Sequence, residues 1–222
     1  MKLVLIIIFP FWLCAQSIDL SIWNQPIYEK LNTAKAIDFM SDKEKEVVKL
    51  MNYVRAEPKK FKDTYLKLYL EQLKTRFSES YQKRVLLSHE LATLYVVLDS
   101  IAPKKPFHVS KGLTLAARGH AKWSGEHGAT GHTGEHGSSM QDRITKHVHW
   151  KMMIAENCEY GSTEPMDIVC NLLIDEGVPR VAHRKNILHR ELNYVGVAVE
   201  SHHSYKVNCV MDFAGKVDFE KN

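Results

Sequence analysis

Long hydrophobic runs are almost absent from this sequence of 222 residues. The exception is the N-terminus, "MKLVLIIIFPFWLCAQS", where one lysine precedes about eleven apolar residues and Ala15 precedes Gln16. This order predicts a secretory signal over residues 1–15, cleaved after Ala15. A membrane-spanning anchor would need about 20 apolar residues. A lipid-attachment site at Cys14 is disfavoured because bulky Phe-Trp-Leu precedes it instead of small residues.

Blocks of like charge are also missing, since the net charge is only +4 and the lysines are scattered. That distribution predicts no binding to nucleic acid. No second segment is apolar enough to cross a bilayer, so we expect a secreted or periplasmic protein with no transmembrane segment in its mature chain. The roughly 207 residues after the signal suit one domain with extensions.

Cysteine is scarce, with four in the whole chain. Cys14 would leave with the signal, so Cys158, Cys170 and Cys209 remain, and an odd number allows at most one bridge. A bridge is the usual state of cysteines outside the cytoplasm. We predict a Cys158–Cys209 disulfide because both residues lie in strands expected to share a sheet. Cys170 lies on the apolar side of a predicted helix and is expected to be a buried, inert thiol.

Two common catalytic signatures are incomplete. "HELAT" begins like the zinc-peptidase motif HExxH, but Thr93 replaces the second histidine. Ser138 and Ser139 do not lie in a GxSxG nucleophile elbow. A standard metalloprotease and a serine hydrolase are therefore not indicated.

The pattern of apolar residues predicts helices first and strands late. Residues 16–40 show no clear period and are interpreted as an N-terminal extension. Ser41 and Glu44 form a capping-box pattern before a helical apolar stripe. Ser162 or Thr163 is expected to cap a later helix that has Pro165 in its first turn. "MMIAENCEYG" predicts a strand, and "NYVGVAVES" with "YKVNCVMDFAG" predicts a hairpin. The order indicates an α+β layered domain.

Several motifs in the last third of the chain follow one another in a family order. They are "GHTGEHGSSMQDRI", "AENCEYG", "LLIDEGVPRVAHRKNIL", "YVGVAV" and "CVMDFAG". Together they resemble the CAP superfamily (cysteine-rich secretory, antigen 5 and pathogenesis-related 1 proteins), in particular its bacterial SCP-like branch. The resemblance covers residues 41–215 and leaves 216–222 as a C-terminal tail. It implies a three-layer α-β-α sandwich.

The resemblance also implies a cavity lined by two histidines and two acidic residues. Matched motif by motif, the histidines are His132 in "GHTG" and His183 in "AHRKNIL", and the first acid is Glu156 in "AEN". The second acid falls on Asp175, with Glu176 as a rival. This last match departs from many bacterial relatives. Those relatives have an aromatic residue at the position of Leu172, and they have a serine near the position of Asp175.

The chemistry of these four groups leaves three interpretations open. His132 and His183 are suitable metal ligands, and the whole set suits Zn²⁺. The same groups could act as an acid–base pair, because a carboxylate beside an imidazole raises the imidazole pKa and fixes its tautomer. They could also form a polar cavity held by hydrogen bonds alone. His127 and His136 lie in the same glycine-rich loop but are expected to be solvated.

The sequence consequently leaves the function open between three classes. The leading hypothesis is a secreted binding module for an unidentified ligand or protein partner, with divalent metal binding at the cavity. The alternative is a zinc-dependent hydrolase that uses the same cavity, with a carboxylate activating water. Sterol or fatty-acid binding is a third and weaker hypothesis, which the resemblance permits and no motif indicates.

Overall fold

The computed structural model describes residues 18–221. Helix α1, Asp42–Ala56, begins where the sequence predicts. Ser41 Oγ accepts a hydrogen bond from Glu44 N, and Glu44 Oε2 accepts one from Ser41 N at 2.7 Å, so the capping box is confirmed. The apolar stripe of α1 is buried, as the helical period predicts, and Asn52 and Arg55 are buried beside it. Four α-helices follow: α2 Pro58–Phe61, α3 Lys67–Arg76, α4 Glu79–Leu86 and α5 His89–Ser100. A short π-helix, Lys62–Leu66, joins α2 to α3.

The sheet has four strands in the order β1-β3-β4-β2. They are β1 His108–Val109, β2 Val148–Tyr160, β3 Tyr194–His202 and β4 Lys206–Glu220. The predicted hairpin is confirmed, since a short turn joins β3 to β4 and the two strands pair in antiparallel orientation. Strand β2 pairs antiparallel with β4 and forms one edge of the sheet.

Helices cover both faces of this sheet. Helix α6, Lys111–His127, and α7, Met140–His147, lie on one face. Helices α1, α8 (Pro165–Ile174) and α9 (Ala182–Ile187) lie on the other. Alternate side chains of β4 point to opposite faces of the sheet. Val210 and Ala214 pack against α6, whereas Met211 and Phe213 belong to the larger core on the other face. The predicted three-layer α-β-α sandwich of the α+β class is confirmed.

Helix α6 approaches β3 closely at Gly196. A Cβ atom at this position would lie 2.0 Å from the backbone nitrogen of Thr114. Only glycine permits this contact, which sets how deeply α6 sits on the sheet and therefore where its side chains meet those of β2 and β4.

The start of α8 differs from the prediction. The helix begins at Pro165 after Glu164, which makes no side-chain capping hydrogen bond. Ser162 instead donates its hydroxyl to Glu159 Oε1 and accepts from Asn171 Nδ2. The predicted serine or threonine cap is wrong because Glu164 occupies the cap position and the Ser162 hydroxyl is engaged by Glu159 and Asn171.

The segment before α1 packs on the domain core through two short 3₁₀ helices, Ser21–Trp23 and Pro26–Leu31. The Trp23 ring stacks on Tyr53 of α1 at 4.2 Å. The domain limits at 41 and 215 stay predictions, and the signal-peptide prediction for residues 1–15 lies outside the described residues. Within residues 18–221, no helix has the length and apolar character that crossing a membrane requires.

The predicted Cys158–Cys209 disulfide is wrong. Within residues 18–221, the thiols of Cys158, Cys170 and Cys209 are all free and buried. Both Cys158 and Cys209 lie in paired strands, as expected, but Cys158 is registered with Val210, one position away from Cys209. Because side chains alternate along a strand, that offset of one residue sends the two sulfurs to opposite faces of the sheet. Cys158 packs with α6, whereas Cys209 belongs to the larger core on the other face.

Candidate functional site

Glu156 is the centre of a buried polar cluster on the α6 face of the sheet. Its carboxylate is 1% exposed. Oε1 lies 2.8 Å from His132 Nδ1, and Oε2 accepts a hydrogen bond from Arg143 Nη2 at 2.6 Å. The Arg143 guanidinium also donates to the carbonyl oxygens of His132 and Ser138. One arginine of α7 thus holds both the carboxylate and the loop that carries His132.

His183 forms a second carboxylate–imidazole pair, with Asp175. Asp175 Oδ1 lies 2.7 Å from His183 Nδ1, and Oδ2 accepts hydrogen bonds from the backbone N–H groups of His183 and Arg184. Asp175 adopts a left-handed conformation with φ +62° directly after α8, which aims its carboxylate at the start of α9. Glu176, the rival in the sequence, pairs with Arg84 Nε at 2.9 Å instead.

The two pairs are linked through edge strand β2. Glu156 and its neighbour Asn157 point to opposite faces of the sheet because strand side chains alternate. Glu156 contacts His132 on the α6 face, while Asn157 Nδ2 donates to the carbonyl oxygen of His183 on the other face. Asn186 Nδ2 of α9 donates in turn to Asn157 Oδ1. The structure therefore brings the four predicted residues together as two separate pairs, held by consecutive residues of one strand.

His127 and His136 lie away from both pairs. His127 Nδ1 contacts the carbonyl oxygen of Trp123 in its own helix, and the residue is exposed. The His136 side chain is 91% exposed and lies 3.6 Å from the Glu135 carboxylate. Both positions agree with the expectation that these histidines are solvated.

Three further residues of the cluster were not assigned to the site from the sequence. Arg143 of α7 binds Glu156. His120 of α6 is 1% exposed, and its Nε2 lies 4.0 Å from Glu156 Oε1. Asp212 of β4 is fully buried and registered directly opposite Glu156. A charged residue inside the buried run "CVMDFAG" and a histidine on the apolar stripe of α6 are the signals that could have found Asp212 and His120.

The surroundings shift the protonation of these groups in different directions. The hydrogen bond to Glu156 raises the pKa of His132, whereas burial lowers the pKa of His120. Burial opposes ionisation of Glu156, but the hydrogen bond from His132 and the charge of Arg143 outweigh it and lower the pKa of Glu156. Burial and the neighbouring Glu156 charge raise the pKa of Asp212 well above its usual range. Glu156 is accordingly the ionised member of the two facing carboxyls.

The same cluster contains a group of metal-ligand types. His120, Glu156 and Cys158 each offer a donor atom, and the three atoms lie within 4.8 Å of one another. This group could hold a metal ion. It differs from the predicted ligands His132 and His183, since it is buried and includes a thiol. A cavity of about 240 Å³ between α6 and α7 reaches the cluster at His120 and Arg143.

Comparisons with known proteins identify the family. The sequence model of the CAP family, described as the cysteine-rich secretory protein family, matches residues 48–213. Comparison with curated proteins gives no match. Among solved structures, an outer surface protein of Borrelia burgdorferi is similar with 17% identity and a TM-score of 0.42 over 68% of this chain and 91% of that chain.

Two other similar structures come from bacteria. An extracellular SCP-domain protein of Bacillus anthracis has 20% identity and a TM-score of 0.42, over 51% of this chain and 35% of that chain. A cysteine-rich secretory protein of Staphylococcus aureus has 18% identity and a TM-score of 0.41, over 57% and 38% respectively. Since the family model covers most of the chain and its residues build the α-β-α sandwich described above, this protein belongs to the CAP family.

Proposed function

We propose that this chain is an exported CAP domain that works as a binding module, in which His132 and His183 present their Nε2 atoms to a ligand. The observation that carries the proposal is the anchoring of both imidazoles through Nδ1 to buried carboxylates, at 2.8 Å and 2.7 Å. A carboxylate that accepts from Nδ1 fixes the ring orientation and leaves Nε2 as the outward nitrogen.

The donor chemistry fits a divalent cation of the zinc class. Metal-binding histidines in proteins commonly donate their second ring nitrogen to a carboxylate, which fixes the tautomer and makes the ligand nitrogen more basic. Here Glu156 and Asp175 occupy that supporting position, so His132 and His183 would be the residues that hold the ion. A bound zinc ion would supply Lewis-acid chemistry at that place.

The arrangement favours binding over hydrolysis. A zinc hydrolase of the predicted kind needs a carboxylate that is available to activate water. Glu156 is engaged by His132 and Arg143, and Asp175 by the His183 ring and two backbone N–H groups. Both acids therefore serve to position the imidazoles, and neither is placed as a general base.

Zinc titration tests the proposal. Protein purified with a chelator and then dialysed free of it is titrated with Zn²⁺ by calorimetry as wild type, His132→Ala and His183→Ala. We expect each substitution to weaken zinc binding at least tenfold because each removes a ligand nitrogen. His136→Ala is the matched control, since that histidine is exposed in the same loop as His132, and it should titrate as wild type does. Equal titration of all four proteins would contradict the proposal.

An apolar cavity supports fatty-acid binding as a second candidate function. It has a volume of about 450 Å³ beside α9, with a floor that includes Val97, Ile101 and Leu188. Lys104, Lys185 and Arg190 lie at the same cavity and offer cationic partners for a carboxylate head group. This combination fits a fatty acid better than a neutral sterol.

Displacement of a fluorescent fatty acid tests the second candidate. We expect binding that is displaced by unlabelled palmitate and weakened several-fold by the double substitution Lys104→Ala plus Lys185→Ala. Lys146→Ala, a lysine on the opposite face of the sheet, serves as the control. Absence of displaceable binding, or equal affinity of all variants, would rule out this use of the cavity.

A further inference from the structure

The buried cluster behind His132 contains a metal-ligand set that the motif pattern of the chain does not include. We propose that His120, Glu156 and Cys158 form a second, internal site for a thiophilic divalent cation of the zinc class. The coordinating atoms differ from the outer nitrogens of His132 and His183, but Glu156 Oε1 also lies 2.8 Å from His132 Nδ1. Substitutions of Cys158 and of His183, which each belong to one site only, therefore separate the two proposals.

The three side chains converge because of where their elements place them. Glu156 and Cys158 are two residues apart on β2 and therefore point to the same face. His120 projects from the buried face of α6, which packs on that same face of the sheet. All three residues are at least nine-tenths buried, with exposures of 1% for His120, 6% for Glu156 and 7% for Cys158.

The separations are close to those of a tetrahedral site. Bond lengths of about 2.0 Å to nitrogen and oxygen and about 2.3 Å to sulfur place neighbouring ligand atoms roughly 3.3–3.8 Å apart. His120 Nε2 lies 4.0 Å from Glu156 Oε1, and all three donor atoms lie within 4.8 Å of one another. Side-chain adjustments of about 1 Å are enough to close the set around an ion. The sulfur also lies 3.6 Å from Gly131 O and 3.8 Å from His132 Nδ1.

Glu156 is already oriented for this role. Arg143 Nη2 holds Oε2 at 2.6 Å, which leaves Oε1 directed toward the two histidines. Ligating carboxylates in metal sites are themselves commonly hydrogen-bonded on the outer side. Arg143 would thus be a positioning residue for the coordinating oxygen.

Buried polar atoms without hydrogen-bond partners surround the three ligand atoms. Both oxygens of Asp212 and Nδ1 of His120 have no hydrogen-bond partner within the part of the chain that the structure describes. Asp212 is fully buried and faces Glu156 across the strand pair. Two carboxyl groups therefore face one guanidinium, and a divalent cation would supply the second positive charge that lets Asp212 release its proton to solvent and ionise. Isolated buried carboxylates are otherwise costly.

The donor types select the class of ion. Thiolate and imidazole ligands suit zinc, cobalt and similar transition metals, whereas magnesium and calcium require oxygen ligands. Binding replaces the S–H bond of Cys158 with a metal–sulfur bond and releases that proton to solvent. The ring hydrogen of His120 leaves Nε2, where it faces the Gly131 carbonyl oxygen, and is carried by Nδ1. The cavity of about 240 Å³ at His120 and Arg143 provides a path for the ion.

Cobalt absorption spectroscopy tests the site on the full chain, with the thiols kept reduced. Co²⁺ bound to a thiolate produces a charge-transfer band, and a four-coordinate site produces strong visible bands. We expect Co²⁺ to produce both in wild type, and Zn²⁺ added in excess of both proposed sites to abolish them. Cys158→Ser should remove the charge-transfer band, while Cys209→Ser, a buried cysteine on the opposite face of the same sheet, should retain it. His183→Ala should also retain it.

The Co²⁺ affinity of an Asp212 variant tests whether this carboxyl supports the site without coordinating the ion. Asp212→Asn keeps the shape of the side chain but cannot ionise beside a bound cation, so we expect Co²⁺ affinity to fall about 10-fold or more with the charge-transfer band still present. Circular dichroism of each variant establishes that it is folded. An absent thiolate band in folded wild type, or a band that survives in Cys158→Ser, would overturn the proposal.

Discussion

Glu156→Gln is expected to lower the free energy of unfolding by about 3 kcal/mol. The substitution leaves the shape of the side chain but removes the charge that faces Arg143. The Glu156 and Arg143 side chains are 1% and 8% exposed, so solvent cannot compensate for the unpaired guanidinium. Breaking a buried ion pair by removing one partner typically costs about 3–5 kcal/mol, and the retained hydrogen-bonding amide places the effect at the lower end. Urea denaturation of the two proteins measures it.

The same variant has a pH-dependent readout. In the folded protein Glu156 raises the pKa of His132 above its ordinary value of 6.5. A raised folded-state pKa stabilises the protein below the unfolded-state pKa, and this contribution is lost as pH rises through the folded-state pKa. The stability difference between wild type and Glu156→Gln should therefore be larger below pH 6.5 than in mildly alkaline buffer. In the variant, the pKa of His132 measured by NMR titration should return toward its ordinary value.

Glu135→Gln is the matched control for this prediction. Glu135 is a carboxylate in the same region, with a side chain that is 66% exposed, and its contact is with the solvated His136. Its substitution should leave both the stability and the His132 titration unchanged. If Glu156→Gln behaved like this control, the carboxylate would not be the centre of a buried ionic cluster.

Arg55→Met is expected to destabilise the fold by at least about 4 kcal/mol. Arg55 of α1 is 1% exposed, and its guanidinium donates to four carbonyl oxygens. These belong to Lys105, Ile187, His189 and Leu192, at distances of 2.7–3.0 Å. The guanidinium also lies over the Phe107 ring at 3.8 Å. Each buried carbonyl left without a donor costs about 1–3 kcal/mol.

Two variants separate the contribution of geometry from that of charge. Arg55→Lys keeps the charge but has a point-like ammonium that cannot reach four carbonyls, so an intermediate loss of stability is expected. Arg190→Met changes an arginine whose side chain is 80% exposed and should have little effect. Because Ile187 ends α9, which carries His183, the Arg55 variants should also weaken zinc binding at the outer site. A stability of Arg55→Met equal to that of Arg190→Met in urea denaturation would contradict this account.

Local patterns determined most of the secondary structure correctly. The capping box at Ser41 and the hairpin of "NYVGVAVES" and "YKVNCVMDFAG" depend on residues close together in the chain, so their hydrogen bonds and periods are readable from the order of residues. The helix before Asp175 was also predicted, but its cap was not. There, Pro165 and a side-chain network around Ser162 replaced the expected serine cap.

The candidate site was likewise predictable only in part from local sequence. The order of family motifs predicted His132, Glu156 and His183, and left the second acid open between Asp175 and Glu176. Which carboxylate meets which imidazole was decided by tertiary structure, because the left-handed turn at Asp175 aims that carboxylate, and not that of Glu176, at His183.

Tertiary structure alone decided the cysteines and the internal cluster. Strand register, which depends on pairing partners about fifty residues apart, sends Cys158 and Cys209 to opposite faces and excludes their disulfide. The same register places Asp212 against Glu156, and the packing of α6 adds His120. Sequence spacing encodes contacts within one element, whereas contacts between elements depend on the face to which each side chain is turned, and that is settled only when the sheet and helices assemble.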